Sequence, residues 1–363
     1  MKKKIKPLIF GVSSTTLSKE EIKLFQEYEA AGFILFSRNI ESKQQVTELT
    51  QSLKKLYPER NVPIFIDQEG GRVARIKPPV AQQLYPCAEH FSAMYAEDKS
   101  RARHELKANY ITLMAELKAM GIDSPCAPVC DIYYSNSSEV IGDRSFGNNA
   151  DKVIDLCRAA INGIRHSGGL PFIKHIPGHG RAMVDSHFYL PIVETKLETL
   201  EETDFKVFRE LAEEKVWGMT AHIIYTALDP NLAATTSPTV INYIRKKIGF
   251  KGKLISDDLC MYALHGMIGK KNATLKKVIQ LAKDEGNWKE LYSEPLEKLL
   301  DINTNQVGNP LIIEICQKKL EEIKPEFLES LRKVTTMTLT AGCDIVLHCS
   351  GDIEEMRAVC SVV

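Results

Sequence analysis

Eight short apolar segments recur along the chain, and helix-like segments separate them. They are Leu8–Val12, Gly32–Phe36, Val62–Asp67, Ser124–Cys130, Leu170–His175, Trp217–His222, Lys253–Asp257 and Asp344–Cys349. Apolar and polar residues do not alternate in them with a period of two, which is typical of parallel strands covered on both faces. Strands and helices that alternate along one chain predict a (β/α)8 barrel of the TIM type, an α/β fold. An open doubly wound sheet is the alternative, but the Gly-x-Gly-x-x-Gly of a dinucleotide site does not follow the first segment.

Capping residues and apolar spacing predict where several helices lie. The segment Leu197 to Val216 has its apolar residues at the spacing of an amphipathic helix. Serines are expected to open three more helices, which run from Ser18 toward Ala31, from Ser42 toward Leu56, and from Ser237-Pro238 to Gly249.

The connection between the seventh and eighth segments, residues 267–333, is far longer than a barrel needs. It is expected to form three helices, Ala273–Asp284, Trp288–Leu300 and Pro310–Ile323, the middle one broken near Pro295. We therefore expect one catalytic domain over residues 1–363 with a helical insertion inside it. The insertion could cover the site, pack between subunits or decorate the edge of the barrel.

The overall charge is balanced, with 47 basic and 47 acidic residues in 363. A strong positive field is therefore excluded, and neither a nucleic acid nor an anionic membrane is an expected partner. No stretch approaches the ~18 apolar residues of a membrane span. The apolar run Pro7 to Val12 is shorter than the ~7–15 residues that a signal peptide needs.

The nine cysteines are scattered, and no two form a Cys-x-x-Cys pair. A zinc ribbon is therefore not indicated. Most of these cysteines lie in apolar surroundings, as free thiols do in a reducing compartment. A cytoplasmic location is expected, with the chain as a monomer or a weak homodimer.

Charged and polar residues stand at the carboxyl ends of the predicted strands. They are Asp67 and Glu69 after the third, Asp131 after the fourth, Lys174 and His175 on the fifth, His222 on the sixth, and Asp257 and Asp258 on the seventh. In a barrel these ends meet at one face, where the active sites of such folds lie. We expect the active site there.

The segment Lys174-His175-Ile176-Pro177-Gly178-His179-Gly180 leaves the fifth strand and leads to Asp185-Ser186-His187. Asp185 and His187 are two residues apart, so both side chains can face one side of an extended loop. The carboxylate could then hold one imidazole nitrogen while the other transfers a proton. A solvated loop with surface histidines is the alternative.

Three further motifs carry charges at this face. In the motif from Asp67 to Arg75, Gly70-Gly71 permits a tight turn with backbone close to a ligand, and the charged ends could bind sugar hydroxyls or form a surface ion pair. In the loop at 142–147, Arg144 is expected to point inward and Asp143 to fasten the loop. The adjacent Asp257 and Asp258 point opposite ways on an extended segment, so one can react while the other anchors backbone. The residues alone leave open which one reacts.

Together these motifs resemble the bacterial β-N-acetylhexosaminidases of glycoside hydrolase family 3, the single-domain cytoplasmic kind used in cell-wall recycling. The resemblance covers most of Leu8 to Tyr262 and resumes at Ala341-Gly342-Cys343-Asp344. The matching motifs are Gly32-Phe33-Ile34-Leu35-Phe36 with Arg38-Asn39, Asp67-Gln68-Glu69-Gly70-Gly71-Arg72-Val73, Gly142-Asp143-Arg144-Ser145-Phe146-Gly147, the 174–180 and 185–187 segments above, Met219-Thr220-Ala221-His222 and Ser256-Asp257-Asp258-Leu259.

The resemblance implies a retaining exo-β-N-acetylglucosaminidase that hydrolyses terminal β-linked N-acetylglucosamine from peptidoglycan muropeptides without a cofactor or a metal. It makes Asp257 the nucleophile of a covalent glycosyl-enzyme and His187 the general acid/base, polarised by Asp185. The positions that match the family's sugar-binding residues are Asp67, Arg75, Arg144, Lys174 and His175. At Arg181-Ala182 the chain departs from many relatives, so substrate contacts there are expected to differ.

Other functions remain open. A neutral histidine repels anions less than a carboxylate, so phosphate could replace water and make the enzyme a phosphorylase, and a β-glucosidase of the same family is a further alternative. A non-catalytic sugar-binding protein is another. A metal-dependent hydrolase would assemble its ligands from His175, His179, His187, His222 and Asp257.

Overall fold

The computed structural model describes residues 4–187, 189–212, 214–284, 294–302, 304 and 307–363. Its strands are β1 (Lys6–Gly11), β2 (Ala30–Leu35), β3 (Ile64–Ile66), β4 (Gln68–Gly70), β5 (Val73–Ala74), β6 (Phe172–Ile176), β7 (Ile192–Val193), β8 (Trp217–Thr220), β9 (Ile224–Tyr225), β10 (Leu254–Asp258) and β11 (Ile345–His348). Seven of them form one parallel sheet in the order β3-β2-β1-β11-β10-β8-β6. The first strand pairs with the last, Leu8 opposite Val346. The structure is therefore an α/β fold with a curled parallel sheet, and its strand order is not that of the doubly wound alternative.

The fourth predicted strand, Ser124–Cys130, is not a regular strand. Near one end it forms an isolated parallel bridge to Phe65 of β3, and near the other end one to Lys174 of β6. Pro125 and Pro128 have no backbone N–H to donate, so a continuous ladder cannot form along the segment. The prediction of eight regular strands is wrong at this place, although the segment still hydrogen-bonds to both edge strands.

Helices lie between the strands and cover one face of the sheet. They are α1 (Lys19–Glu27), α2 (Lys43–Lys55), α3 (Ala88–Glu97), α4 (Lys99–Ala119), α5 (Ala150–His166), α6 (Leu197–Glu202), α7 (Asp204–Leu211), α8 (Pro238–Tyr243), α9 (Gly266–Lys283), α10 (Glu294–Leu300), α11 (Asn309–Ala341) and α12 (Ile353–Cys360). None of the helices in the described ranges has both the length and the apolar character needed to cross a bilayer.

The predicted helix starts are confirmed. The hydroxyl groups of Ser18, Ser42 and Ser237 each accept a hydrogen bond from the backbone N–H three residues further on. The first helix ends at Glu27, before the expected Ala31, because β2 begins at Ala30. The amphipathic segment expected as one helix is two, α6 and α7, which meet at Thr203.

Two hydrophobic clusters cover opposite faces of the sheet. Alternate strand residues such as Leu8 and Phe33 pack outward against the helices. Their neighbours, including Ile9 and Ile34, form a second cluster with strand residues from across the curled sheet. Because successive side chains of a strand point to opposite faces, this alternation fills the concave side of the sheet with its own side chains.

Helices α9, α10 and α11 lie between β10 and β11, where the helical connection is predicted. Helix α9 starts earlier than expected, at Gly266, and α11 runs past the predicted end to Ala341. Residues 288–293 of the predicted middle helix lie outside the described residues. Apolar side chains of these helices, such as Leu275 and Ile312, form a third hydrophobic cluster separate from the two of the sheet.

Candidate active site

One cavity of about 470 Å³ lies at the carboxyl ends of the sheet strands. Polar side chains without a predicted catalytic or sugar-binding role also line it, Glu69, His179 and Ser186 among them. All eight residues with a predicted role line it as well: Asp67, Arg75, Arg144, Lys174, His175, Asp185, His187 and Asp257. The structure therefore places all eight residues with a predicted catalytic or sugar-binding role at one cavity.

The two adjacent aspartates at the end of β10 have different surroundings. Asp258 Oδ1 accepts hydrogen bonds from the backbone N–H groups of Cys260 and Cys349, both at 3.0 Å. Its carboxylate thus joins the end of β10 to the end of β11. Asp257 accepts one backbone N–H, that of Asp258, at 2.8 Å. Both aspartates line the cavity, but Asp258 also bridges two segments, whereas Asp257 holds only the N–H of its neighbour.

The carboxyl group of Asp257 is held in its ionised form. Burial raises its pKa, but the imidazoles of His222 and His175 and the N–H of Asp258 outweigh burial, and the pKa lies below its ordinary value. An ionised carboxylate next to a cavity is what a nucleophile or a cation-stabilising group requires.

Asp185 and His187 form a pair on the loop that follows β6. His187 Nδ1 lies 2.7 Å from Asp185 Oδ1, and the His187 backbone N–H donates to the same oxygen at 2.8 Å. The imidazole is 59% exposed. Its hydrogen bond to Asp185 raises the pKa of His187 by more than burial lowers it. The carboxylate orients this ring and favours its cationic form.

Ser186, between these two residues, ties their loop to the end of β6. Its hydroxyl lies 2.9 Å from Nε2 of His179, and both side chains are buried. The His179 backbone N–H donates to Asp131 at 2.6 Å. Burial and the neighbouring His175 lower the pKa of His179 to about 4, so the ring is neutral at pH 7. The sequence motif contains both residues, but only the fold shows that they meet.

Arg181 and Ala182, where the sequence departs from many relatives, are not among the residues that line the cavity. The Arg181 guanidinium donates to Asp204 at 2.7 Å and lies over the Tyr134 ring, while Ala182 is buried. The expectation of altered substrate contacts at this position is not supported. Arg181 instead attaches the base of the loop to α7.

Two carboxylates and three cations form a network on one wall of the cavity. Lys174 Nζ lies 3.0 Å from Asp67 Oδ1 and 2.6 Å from Glu69 Oε1. Arg144 forms a bidentate pair with Glu69 at 2.8 and 2.9 Å, and Arg75 donates to Asp67 at 3.1 Å. Burial raises the pKa of Glu69, but Arg144 and Lys174 outweigh burial and lower it to about 2. The network is ionised and offers both donors and acceptors to a polyhydroxylated ligand.

Glu69 is the member of this network that sequence reasoning left without a role. A buried lysine beside two arginines needs more than one carboxylate to balance the charges. This charge balance is the sequence signal that could have assigned Glu69 to the network. The expectation for the 142–147 loop agrees with the contacts, since Arg144 faces the cavity and Asp143 pairs with Arg72 at 2.6 Å on the surface.

Asp131 forms hydrogen bonds with residues at the end of β6 and just after it. It is fully buried and lies 2.7 Å from His175 Nδ1, and it also accepts the backbone N–H groups of His175 and His179. Burial raises the pKa of Asp131, but His175 and His179 outweigh burial and lower it. Asp131 therefore fixes the orientation of His175 at the cavity wall.

The histidines do not assemble into a metal shell. His222 Nε2 donates to the carbonyl oxygen of Asp258 at 3.0 Å, and Nδ1 lies 2.7 Å from the Thr235 hydroxyl. His175 and His179 face Asp131 and Ser186 instead. Across the described part of the chain, no three histidine or carboxylate ligand atoms of this cavity lie within 4.8 Å of one another.

The glycine pair at 70 and 71 forms the predicted tight turn, between β4 and β5. Both glycines have positive φ, 106° for Gly70 and 58° for Gly71. A side chain at Gly70 would overlap the carbonyl oxygen of Pro86, and one at Gly71 the side chain of Cys87. The backbone at this turn therefore lies close to a neighbouring loop of the same chain, whereas the sequence predicted a close approach to a ligand.

A family model described as the glycosyl hydrolase family 3 N terminal domain matches residues 1–280. A beta-hexosaminidase of Alkalilimnicola ehrlichii is 39% identical over 261 residues, which are 71% of this chain and 73% of that protein. A beta-hexosaminidase of Xylella fastidiosa is 36% identical over 265 residues, or 72% and 77% of the two chains.

Solved structures resemble the whole chain. NagZ from Neisseria gonorrhoeae, in complex with N-trifluoroacetyl-D-glucosamine, is 27% identical with a TM-score of 0.75, and the match covers 99% of this chain and 86% of that one. A family 3 beta-N-acetylglucosaminidase from Paenibacillus sp. str. FPU-7 is 26% identical with a TM-score of 0.75 over 98% of this chain and 56% of that one. With the family match over most of its length and relatives above one third identity, the chain belongs to glycosyl hydrolase family 3.

Proposed function

We propose that the chain is a retaining exo-β-N-acetylglucosaminidase that removes terminal β-linked N-acetylglucosamine from muropeptide fragments of peptidoglycan. The observation that carries the proposal is the shared cavity of an ionised Asp257 and an imidazole, His187, supported by a carboxylate. The relatives named beta-hexosaminidase give the reaction and the class of sugar.

In the first step Asp257 attacks the anomeric carbon and forms a glycosyl ester. The bond to the leaving group breaks, and the protonated His187 gives its proton to the departing oxygen. Asp257 suits this role because it is ionised and holds only the N–H of the next residue, whereas Asp258 joins two segments of the chain.

In the second step His187 accepts a proton from water, and the resulting hydroxide attacks the anomeric carbon from the face the leaving group left. The ester to Asp257 breaks and the β configuration is restored. Asp185 holds Nδ1 throughout, so that Nε2 is the nitrogen that exchanges the proton.

The charged network would bind the terminal sugar. Asp67 and Glu69 can accept from hydroxyl groups, while Arg75, Arg144 and Lys174 donate to them. His175, fixed by Asp131, would add a further donor at the wall. Because this wall consists of charges already paired with one another, the sugar meets a prearranged set of partners with little reorganisation.

The proposal extends to the architecture and the setting. The segment 124–130 would take the fourth place of a (β/α)8 barrel, with residues 267–333 as an insertion within a single catalytic domain of residues 1–363. Buried thiols such as Cys130 and Cys157 suit the reducing cytoplasm, where muropeptides would be recycled by a monomer or a weak homodimer.

A panel of aryl β-glycosides that differ only at the 2-position tests the sugar. We expect the 2-acetamido substrate to give the highest kcat/KM, and equal or faster cleavage of the 2-hydroxy substrate would make the enzyme a β-glucosidase instead.

Turnover of the 2-acetamido substrate with and without phosphate tests the acceptor. Free N-acetylglucosamine is expected in both cases, whereas a sugar 1-phosphate would identify a phosphorylase.

A further inference from the structure

Cys260, His348 and Glu355 form a cluster outside the cavity described above. Cys260 follows β10, His348 ends β11, and Glu355 lies in the first turn of α12. Glu355 Oε2 lies 3.3 Å from His348 Nε2 and 3.8 Å from Cys260 Sγ. The three ligand atoms all lie within 4.8 Å of one another.

These separations fit a shared metal ion. With Zn–N and Zn–O bonds near 2.0–2.1 Å and a Zn–S bond near 2.3 Å, tetrahedral angles put the nitrogen and oxygen ligands about 3.3 Å apart and the sulfur and oxygen about 3.6 Å apart. The observed 3.3 and 3.8 Å are close to both values. A thiol, an imidazole and a carboxylate together are a donor set typical of Zn²⁺.

The local electrostatics also favour a cation. Burial raises the pKa of the Cys260 thiol, and the carboxylates of Asp258 and Glu355 raise it further. Burial raises the pKa of Glu355 too, but His348 and other neighbours outweigh burial and lower it to about 2. Carboxylates thus surround a thiol that a cation would convert to thiolate.

The cluster lies where a cation can enter from solvent, and a cation bound there would join separate parts of the fold. His348 is 1% exposed and Glu355 7%, whereas Cys260 is partly exposed, so an ion can reach the site from the Cys260 side. The Cys260 backbone N–H donates to Asp258, the residue that joins the ends of β10 and β11. An ion here would hold those two strand ends and α12 together.

We propose that Cys260, His348 and Glu355 bind a divalent metal ion of the Zn²⁺ class as a structural site, with water as the fourth ligand. Cys260 gives its proton to solvent as the Sγ–metal bond forms, and His348 binds through Nε2. Nearby cations oppose binding. The charge of Arg38 acts on Cys260, and the Lys276 ammonium of α9 acts on both Glu355 and Cys260. Removal of the Lys276 charge should therefore tighten binding.

Titration of the metal-free protein with Co²⁺ tests the proposal, because a thiolate ligand produces a charge-transfer band in the near ultraviolet. We expect one equivalent of Co²⁺ to produce the band in the wild type. Zn²⁺ should displace the Co²⁺ and raise Tm by about 4 °C at a concentration roughly 100 times Kd. Circular dichroism checks that each variant is folded.

Variants assign the ligands. Cys260→Ser should lose the band, while Cys87→Ser, at another partly exposed cysteine, should keep it. Glu355→Gln should weaken binding by about tenfold or more, and Lys276→Met should tighten it roughly threefold. His187→Ala should keep the band, which separates this site from the catalytic cavity. Absence of the band in the wild type, its survival in Cys260→Ser, or weaker binding by Lys276→Met would overturn the proposal.

Discussion

The Ser186 hydroxyl lies 2.9 Å from Nε2 of His179, and this buried contact attaches the loop of Asp185 and His187 to the end of β6. His179 is in turn fixed through its backbone N–H to Asp131. The imidazole of His187, the proposed acid/base, is therefore exposed, while the preceding residue, Ser186, is held by a buried contact. This contact, together with the Tyr262 N–H that donates to the His187 carbonyl, gives the loop a defined docked position.

Ser186→Ala should lower kcat/KM about fivefold to tenfold, because one hydrogen bond contributes roughly 1 kcal/mol to the docked position of the loop. The measurement is steady-state kinetics on an aryl β-N-acetylglucosaminide. Ser137→Ala is the matched control, since the Ser137 hydroxyl donates to a backbone carbonyl of another loop. A Ser186→Ala enzyme as active as the control would show that the contact does not position the loop.

Asp257→Ala should mainly reduce activity, and Asp258→Ala should mainly reduce stability. Without Asp257 we expect kcat to fall by roughly 10⁴-fold or more with little change in Tm. Without Asp258, two backbone N–H groups lose their acceptor, which should cost about 1–3 kcal/mol of folding free energy and several degrees in Tm. Kinetics and thermal denaturation of both variants separate the two effects, and the reverse pattern would exchange their roles.

Asp185→Asn should move the alkaline limb of the pH profile of kcat/KM to lower pH. The hydrogen bond to Asp185 raises the pKa of His187, so the acid form persists to higher pH in the wild type. Since a general acid acts only while protonated, activity is lost as pH rises through that pKa, and removal of the carboxylate lowers it. An unchanged alkaline limb would mean that another group titrates there.

In the Glu69→Gln variant, Tm should fall less steeply with decreasing pH than in the wild type. Burial raises the pKa of Glu69, but Arg144 and Lys174 outweigh burial and lower it from 4.5 to about 2. A carboxyl group with a depressed pKa contributes stability above the unfolded value and loses it as pH falls toward the folded value. Between pH 4.5 and about 2 the Tm of the wild type should therefore fall more steeply than that of the variant. Parallel curves for the two proteins would count against an ionised Glu69 in the native state.

The strand ends could be predicted from sequence because each of them combines an apolar run with a charged residue. Asp67, Lys174 and Asp257 satisfy this pattern, and the curled parallel sheet brings them together. The apolar residues of segment 124–130 predict a strand, although the segment is irregular in the structure. Its two prolines, Pro125 and Pro128, were the signal against a regular ladder.

Contacts between distant or motif-internal residues could not be predicted in this way. His179 and Ser186 are both in the loop motif, but their pairing depends on how the chain turns after β6. The cluster of Cys260, His348 and Glu355 joins residues almost a hundred positions apart. Neither local propensity nor spacing carries that information, since both contacts arise from tertiary packing.

Trapping of the glycosyl-enzyme tests the central claim most directly. The protein is incubated with an aryl 5-fluoro-N-acetyl-β-glucosaminide, on which the second step is slow, and its intact mass and peptides are measured. We predict one added sugar per chain, as an ester on Asp257. A sugar attached to any other residue, or turnover with inversion and no adduct, would contradict the account.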